Sequence, residues 1–179
     1  IGIRYVGGNS LGYTARTSDI IHDISGIGAE EGDLVIASFS IAAGTDVTPF
    51  ISYPSGYTVV ADLFSNDTVH TNLFVYYKFM GTTPDTSITF PGGTGASGNQ
   101  GGAVAVQVFR GVDTTTPMDV AATTVETINT ALVDPPAITP VSDGAWIVAA
   151  AAAATYRDNA VCTDIPGMTN LISTSGNDY

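Results

Sequence analysis

Ala103 to Arg110 reads AVAVQVFR. Val104, Val106 and Val108 recur at every second position, with smaller or polar residues between them, so one face of an extended chain is apolar. The same period runs through Leu73 to Phe79 (LFVYYKF), which sets Leu73, Val75, Tyr77 and Phe79 on one face and Phe74, Tyr76 and Lys78 on the other. Leu34 to Ile41 (LVIASFSI), Tyr57 to Phe64 (YTVVADLF) and Ser87 to Phe90 (SITF) are further short runs of β-branched and aromatic residues. Ile3 to Val6, Val120 to Val125, Ala137 to Thr139 and Met168 to Ser173 are weaker candidates. Runs of this length with turn residues at both ends are the mark of antiparallel strands. The fold expected is all-β: a two-layer antiparallel β-sandwich or jelly roll of about 8–10 strands.

Between the runs stand turn residues with specific uses. Tyr53-Pro54-Ser55-Gly56 places Pro and Gly as a type II turn prefers. Glu31-Gly32-Asp33 reverses the chain just ahead of Leu34, and Asp134-Pro135-Pro136 ends whatever precedes it. Pro91 to Gly102 (PGGTGASGNQGG) reads as a mobile loop. Ala145 to Ala154 (AWIVAAAAAA) is the ambiguous stretch. Its alanines favour helix, but Asp143-Gly144 ahead of it and the β character of the preceding chain favour a central strand. Residues 1–27 are read as an N-terminal segment with the first strand, able to reach a neighbour as an arm hinged at Gly7-Gly8 and Gly12. Residues 28–179 are read as the sandwich domain. An open sheet edge near one terminus is expected to be covered by another chain, through strand addition or close packing.

Composition limits the chemistry. The 179 residues carry 17 Asp plus Glu against 5 Lys plus Arg, a formal net charge of −12, and charged residues are only 12% of the chain. Such a surface is a poor nucleic-acid ligand, because neutralising phosphates supplies most of that affinity. The apolar runs are too short for a membrane helix. One cysteine, Cys162, allows no internal disulfide and no cysteine-based zinc site, and two histidines, His22 and His70, leave little for a histidine metal site. No cofactor is expected.

Acyl transfer needs a nucleophile with a base in reach. No Gly-x-Ser-x-Gly elbow is present, and neither histidine sits in a catalytic context. Glu30, Glu31 and Asp33 read as a solvated hairpin tip rather than a glycosidase pair. Asn66-Asp67-Thr68 formally matches a glycosylation acceptor. The most distinctive local string is Arg110-Gly111-Val112-Asp113, followed by Asp119. An arginine at the end of a buried strand, with two aspartates and a glycine turn beside it, suits a charge-assisted structural clamp formed by Arg110, Asp113 and Asp119. No enzyme is expected.

An ordered set of phrases carries a resemblance: Gly32-Asp33-Leu34-Val35-Ile36-Ala37, Tyr53-Pro54-Ser55-Gly56-Tyr57-Thr58, Val75-Tyr76-Tyr77-Lys78, Ile88-Thr89-Phe90, Val106 to Asp113, and Asp143-Gly144-Ala145-Trp146. In these the chain resembles the β-sandwich virion proteins of tailed bacteriophages, which serve as head decoration (cement) proteins or in tail appendages. The resemblance implies no catalytic residues. It implies a virion structural protein on the capsid surface, whose partners are the major capsid protein and copies of itself, as a homotrimer or another symmetric contact. A tail-fibre or other tail-appendage module is the alternative within that group. A carbohydrate-binding jelly-roll module is the alternative of another class, with Tyr5, Tyr13, Tyr53, Tyr57 and Tyr156 as its aromatic candidates.

Overall fold

The computed structural model describes the chain except residues 1, 15–17, 44, 48–51, 67–69, 91–100, 127–134, 154–166 and 175–179. Most of the glycine-rich stretch after Phe90, two residues of the Asn66 acceptor tripeptide, Asp134, Tyr156 and Cys162 lie outside the described residues. Seven strands form: β1 (Arg4–Tyr13), β2 (Ile20–Asp23), β3 (Leu34–Ile41), β4 (Thr58–Ser65), β5 (Thr71–Phe79), β6 (Ser87–Phe90) and β7 (Gly102–Arg110), with one 3-10 turn at Ser25–Ile27. Five make an antiparallel sheet in the order β1-β7-β3-β5-β4, and β2 pairs with β6 in a second, two-stranded sheet. The protein is a β-sandwich, as its alternating runs require.

The alternation decides what is enclosed. Val35, Ala37, Phe39 and Ile41 of β3, Phe74 and Tyr76 of β5, and the three valines of β7 point toward Ile88 and Phe90 of β6. Phe39 sits at the centre, stacked on Phe90 at 4.7 Å and on Tyr13 at 5.8 Å between ring centroids. The two-stranded layer is too narrow to cover five strands. The connection from β3 to β4 completes the cover: Val47 is buried, and Tyr53 packs on Phe74 and Tyr76. Asn72, fully buried on β5, fixes that connection by accepting from the Val47 amide and donating to the Thr45 carbonyl. Both of its amide atoms are satisfied, which removes the cost of burying them.

The turns sit close to where the sequence puts them. The one before β4 closes with the Tyr57 amide on the Pro54 carbonyl, and Gly56 takes φ +78°, the left-handed region that glycine enters without strain. The first 27 residues supply β1 and β2, and β1 pairs along its length with β7 of its own chain.

After Arg110 the expectation fails. No strand occurs among the described residues beyond it, so Val120–Val125, Ala137–Thr139 and Met168–Ser173 are not strands. Ala145 to Ala153 is neither the expected central strand nor a helix. The cause is partly one of place, because both edges of β7 are taken, by β1 and by β3. Alanine also offers little area to bury, and an uncapped ten-residue helix falls below the ~12–15 residues that make isolated helices even marginal. The described residues thus contain seven strands.

Candidate functional site

Two features stand out on the frame, and one positions the other. At the end of β7, Arg110 forks onto Asp33: Nε donates to Oδ1 at 2.7 Å and Nη2 to Oδ2 at 2.8 Å. Its Nη1 lies 2.7 Å from Glu30 Oε2. The register explains the meeting. Leu34 stands opposite Phe109, so the next residue outward on each strand is Asp33 and Arg110. Asp33 is almost wholly buried and also accepts from the Glu30 amide at 2.8 Å. Burial by itself would raise its pKa, but the Arg110 guanidinium and the Glu30 amide outweigh that and hold the carboxyl below its usual range. The same bonds push the Arg110 pKa up, so the pair is charged at any physiological pH.

The other two expected clamp residues do different work. Asp113 accepts from the amides of Thr115 and Thr116 and shapes the first turn after β7. Asp119 reaches across 22 residues to accept from the Val141 amide at 2.6 Å and from Ser142. Both carboxyls are held below the usual range by these donors, that of Asp119 chiefly by Ser142. Arg110, Asp113 and Asp119 thus stand in sequence along one path but in three separate contacts. Asp33, which the sequence reading places at a solvated tip, is the residue that the arginine holds. Its signal was a register between two distant strands, which local spacing does not contain.

Past the clamp the described residues form neither strand nor helix, and three contacts tie this strap to the outer face of the large sheet, the face opposite the second layer. Trp146 meets Phe109 edge-to-face at 5.8 Å. The Asn170 carbonyl accepts from Gln107 Nε2 at 3.1 Å. Ile172 seats on Gly8, where any side chain would collide with the Ile172 methyl and the Val106 carbonyl. Only glycine permits that approach. Of the ten large apolar side chains exposed among the described residues, seven belong to this strap: Met118, Val125, Val141, Trp146, Ile147, Val148 and Leu171. Val141 is 80% exposed, directly beside the backbone that Asp119 fixes.

Both histidines are engaged within the fold. His22 is buried, with Nε2 2.8 Å from Asn9 Oδ1, while Asn9 donates to the Asp23 carbonyl, so the pair ties β1 to β2. Burial lowers the His22 pKa, partly offset by the charge of Asp23. His70 lies against the Phe64 ring. Among the described residues no group of three His, Cys, Asp or Glu is placed to hold a metal, and no helix is long and apolar enough to cross a membrane. No family model, curated protein or solved structure matches the chain.

Proposed function

We propose that this chain is a non-enzymatic virion structural protein, a phage capsid decoration or cement protein that bridges capsid subunits. The observation that carries the reading is the strap. A soluble domain scatters its exposed apolar side chains, whereas among the described residues here most of them fall in the one segment after Arg110, which is tied to the sheet by Trp146, Asn170 and Ile172. That is the form of a contact surface held ready on a scaffold. The −12 charge keeps decorated particles apart in solution. The resemblance in the phrases around Leu34, Tyr57 and Arg110 supplies the context of a phage head.

The mechanism is mechanical: strap residues pack on capsid protein and on neighbouring copies, and each contact made only by the folded form stabilises it by mass action. The test is a count. Quantitative mass spectrometry of purified particles should find hundreds of copies per virion. A few dozen or fewer would remove the decoration role and leave a tail appendage in its place. Absence from particles would remove the virion reading altogether.

A further inference from the structure

Among the described residues, β1 and β4 are the two edges of the large sheet, each paired on one side only. Natural sheets guard such edges with charges, prolines or bulges, because bare N–H and C=O groups invite another strand. β4 is guarded along its length: its ladder skips at Val60, and Asp62 follows two residues on. β1 is guarded only at its start, where the ladder skips at Val6. From Gly7 to Tyr13 it runs in unbroken register with β7, with no proline and no charged side chain. No acid occurs anywhere in β1, in a chain of net charge −12.

The direction of its backbone groups follows from one bond and the alternation of antiparallel pairs. The Ala42 amide donates to the Gly101 carbonyl, continuing the β3–β7 ladder. Alternate residues of β7 therefore turn their backbone groups to β3, and Gly102, Val104, Val106 and Val108 turn theirs to β1. These four stand opposite Tyr13, Leu11, Asn9 and Gly7. Gly8, Ser10 and Gly12 are left with N–H and C=O aimed away from β7, at the free edge. Their glycines have the spacing of a nucleophile elbow, but Ser10 lies mid-strand, on the face opposite the one where Asn9 meets His22. The spacing makes an edge, not a nucleophile. An open groove of about 480 Å³ borders it at Asn9, Ser10 and Leu11, and Leu11 is 36% exposed.

We propose that the free edge of β1 pairs antiparallel with β1 of a second copy, about a two-fold axis at Ser10, joining two five-stranded sheets into one. Ser10 then faces its own counterpart, and Gly8 faces Gly12 of the copy on either side, so the outward groups of all three residues find partners together. Glycine, serine, glycine reads the same in both directions, as a two-fold contact between identical strands requires. Shape agrees, because Ile172 already lies over Gly8, and a glycine opposite adds no side chain beside it. Charge also favours a second copy over a basic segment. A strand without acids offers a cationic peptide nothing to hold, and two copies of a −12 chain can meet along it with no carboxylates opposed. Asp23, the acid that borders the groove, accepts from the Ser25 amide. This inference does not depend on the capsid role, and particle counting bears on that role alone.

The experiment is sedimentation equilibrium on the whole protein from about 1 to 500 μM, the range in which a small strand-to-strand contact shows itself. A monomer–dimer equilibrium is expected. Monomer throughout would overturn the proposal, and so would a closed trimer, which a two-fold edge contact cannot make. Ser10→Pro removes both amides at the axis but leaves the ladder to β7, since proline is tolerated where a strand's N–H faces outward. It should weaken the dimer about ten-fold or more, with the β-sandwich retained by circular dichroism. Ser10→Glu gives a second reading that needs no proline. It sets two carboxylates face to face, so it should weaken the dimer at low salt and regain part of the loss at high salt. Thr58→Glu adds the same charge at the exposed start of β4 and should leave the dimer as strong as the parent's. A dimer unweakened in both Ser10 variants, or weakened as much by Thr58→Glu as by Ser10→Glu, would place the contact away from β1 and overturn the proposal.

Discussion

Residues 4–110 and residues 111–174 use the same kinds of side chain to opposite ends. In the first region valine and phenylalanine alternate with polar residues, every strand has a partner, and Val104, Val106 and Val108 are fully enclosed. In the second, valine, isoleucine and tryptophan stand without a ladder, and Val141, Ile147 and Trp146 face outward. Hydrophobicity alone does not separate the two. What separates them is pairing: the alternating runs of the first region found strand partners, and the described apolar runs of the second did not.

The comparison predicts very unequal costs for removing apolar groups. Phe39→Ala, at the centre of the first region, should cost about 3–5 kcal/mol, as large cavities in aromatic cores do. At this chain length that is roughly a 10 °C fall in melting temperature. Val141→Ser, in the second region, should change the melting temperature by about a degree or less. Calorimetry on the two variants side by side checks this. A strap substitution as costly as the core one would mean that both regions form one core.

The boundary between the regions is Arg110, and the second-largest effect is expected there. Arg110→Ala leaves the Asp33 carboxylate buried without its counter-charge, and breaking a buried pair from one side is strongly destabilising. A loss of roughly 5–10 °C is expected. The double variant Asp33→Asn with Arg110→Met should recover a substantial part of it, because no unpaired charge then remains. If the double variant were no more stable than the single one, the arginine's alkyl packing rather than its charge would be what matters.

How far the sequence could be read follows the same division. β3, β5, β6 and β7 begin and end within two residues of where alternation places them, because each pattern is local and each strand found its sheet. The clamp was half legible. Arg110 declares itself at the end of a strand, but its partner Asp33 lies 77 residues away, and only the β3–β7 register brings them together. The strap was not legible as such. Propensity and period both describe what a segment does when a partner exists, and neither reports that β1 had already taken the edge of β7.

Acid should act on the ordered region in two stages. The His22 pKa is lowered from 6.5 by burial. As the pH falls below about 6.5, the unfolded chain takes up that proton first, so stability begins to decline. Asp33 has a carboxyl held below its usual range, so its contribution is present above the unfolded value of about 3.9 and is lost as pH falls through the folded one. Melts from pH 8 to pH 3 should show both declines, and His22→Gln should abolish the upper one alone. Persistence of the upper step in that variant would assign it to another group.

The smallest effect on stability is expected at Trp146, and it sharpens the comparison most. The indole is 44% exposed and touches the sheet by one edge-to-face contact with Phe109, a kind of pair worth about 0.5–1.5 kcal/mol beyond area. Trp146→Ala should therefore lower the melting temperature by only a few degrees. Its neighbours in sequence, Ile147 and Val148, are 52% and 38% exposed. Buried aromatic anchors dominate binding when a partner covers them. If the strap is the contact surface of a decoration protein, the variant should fold as a β-sandwich by circular dichroism yet fail to rebind particles stripped of the native protein. The control is Ile21→Ser, which removes a still barer side chain, 64% exposed, from β2 in the second sheet. That variant should rebind normally. Equal loss in both would point to a diffuse surface, and retention in both would place the contact outside the strap, leaving its exposed side chains without the role proposed for them.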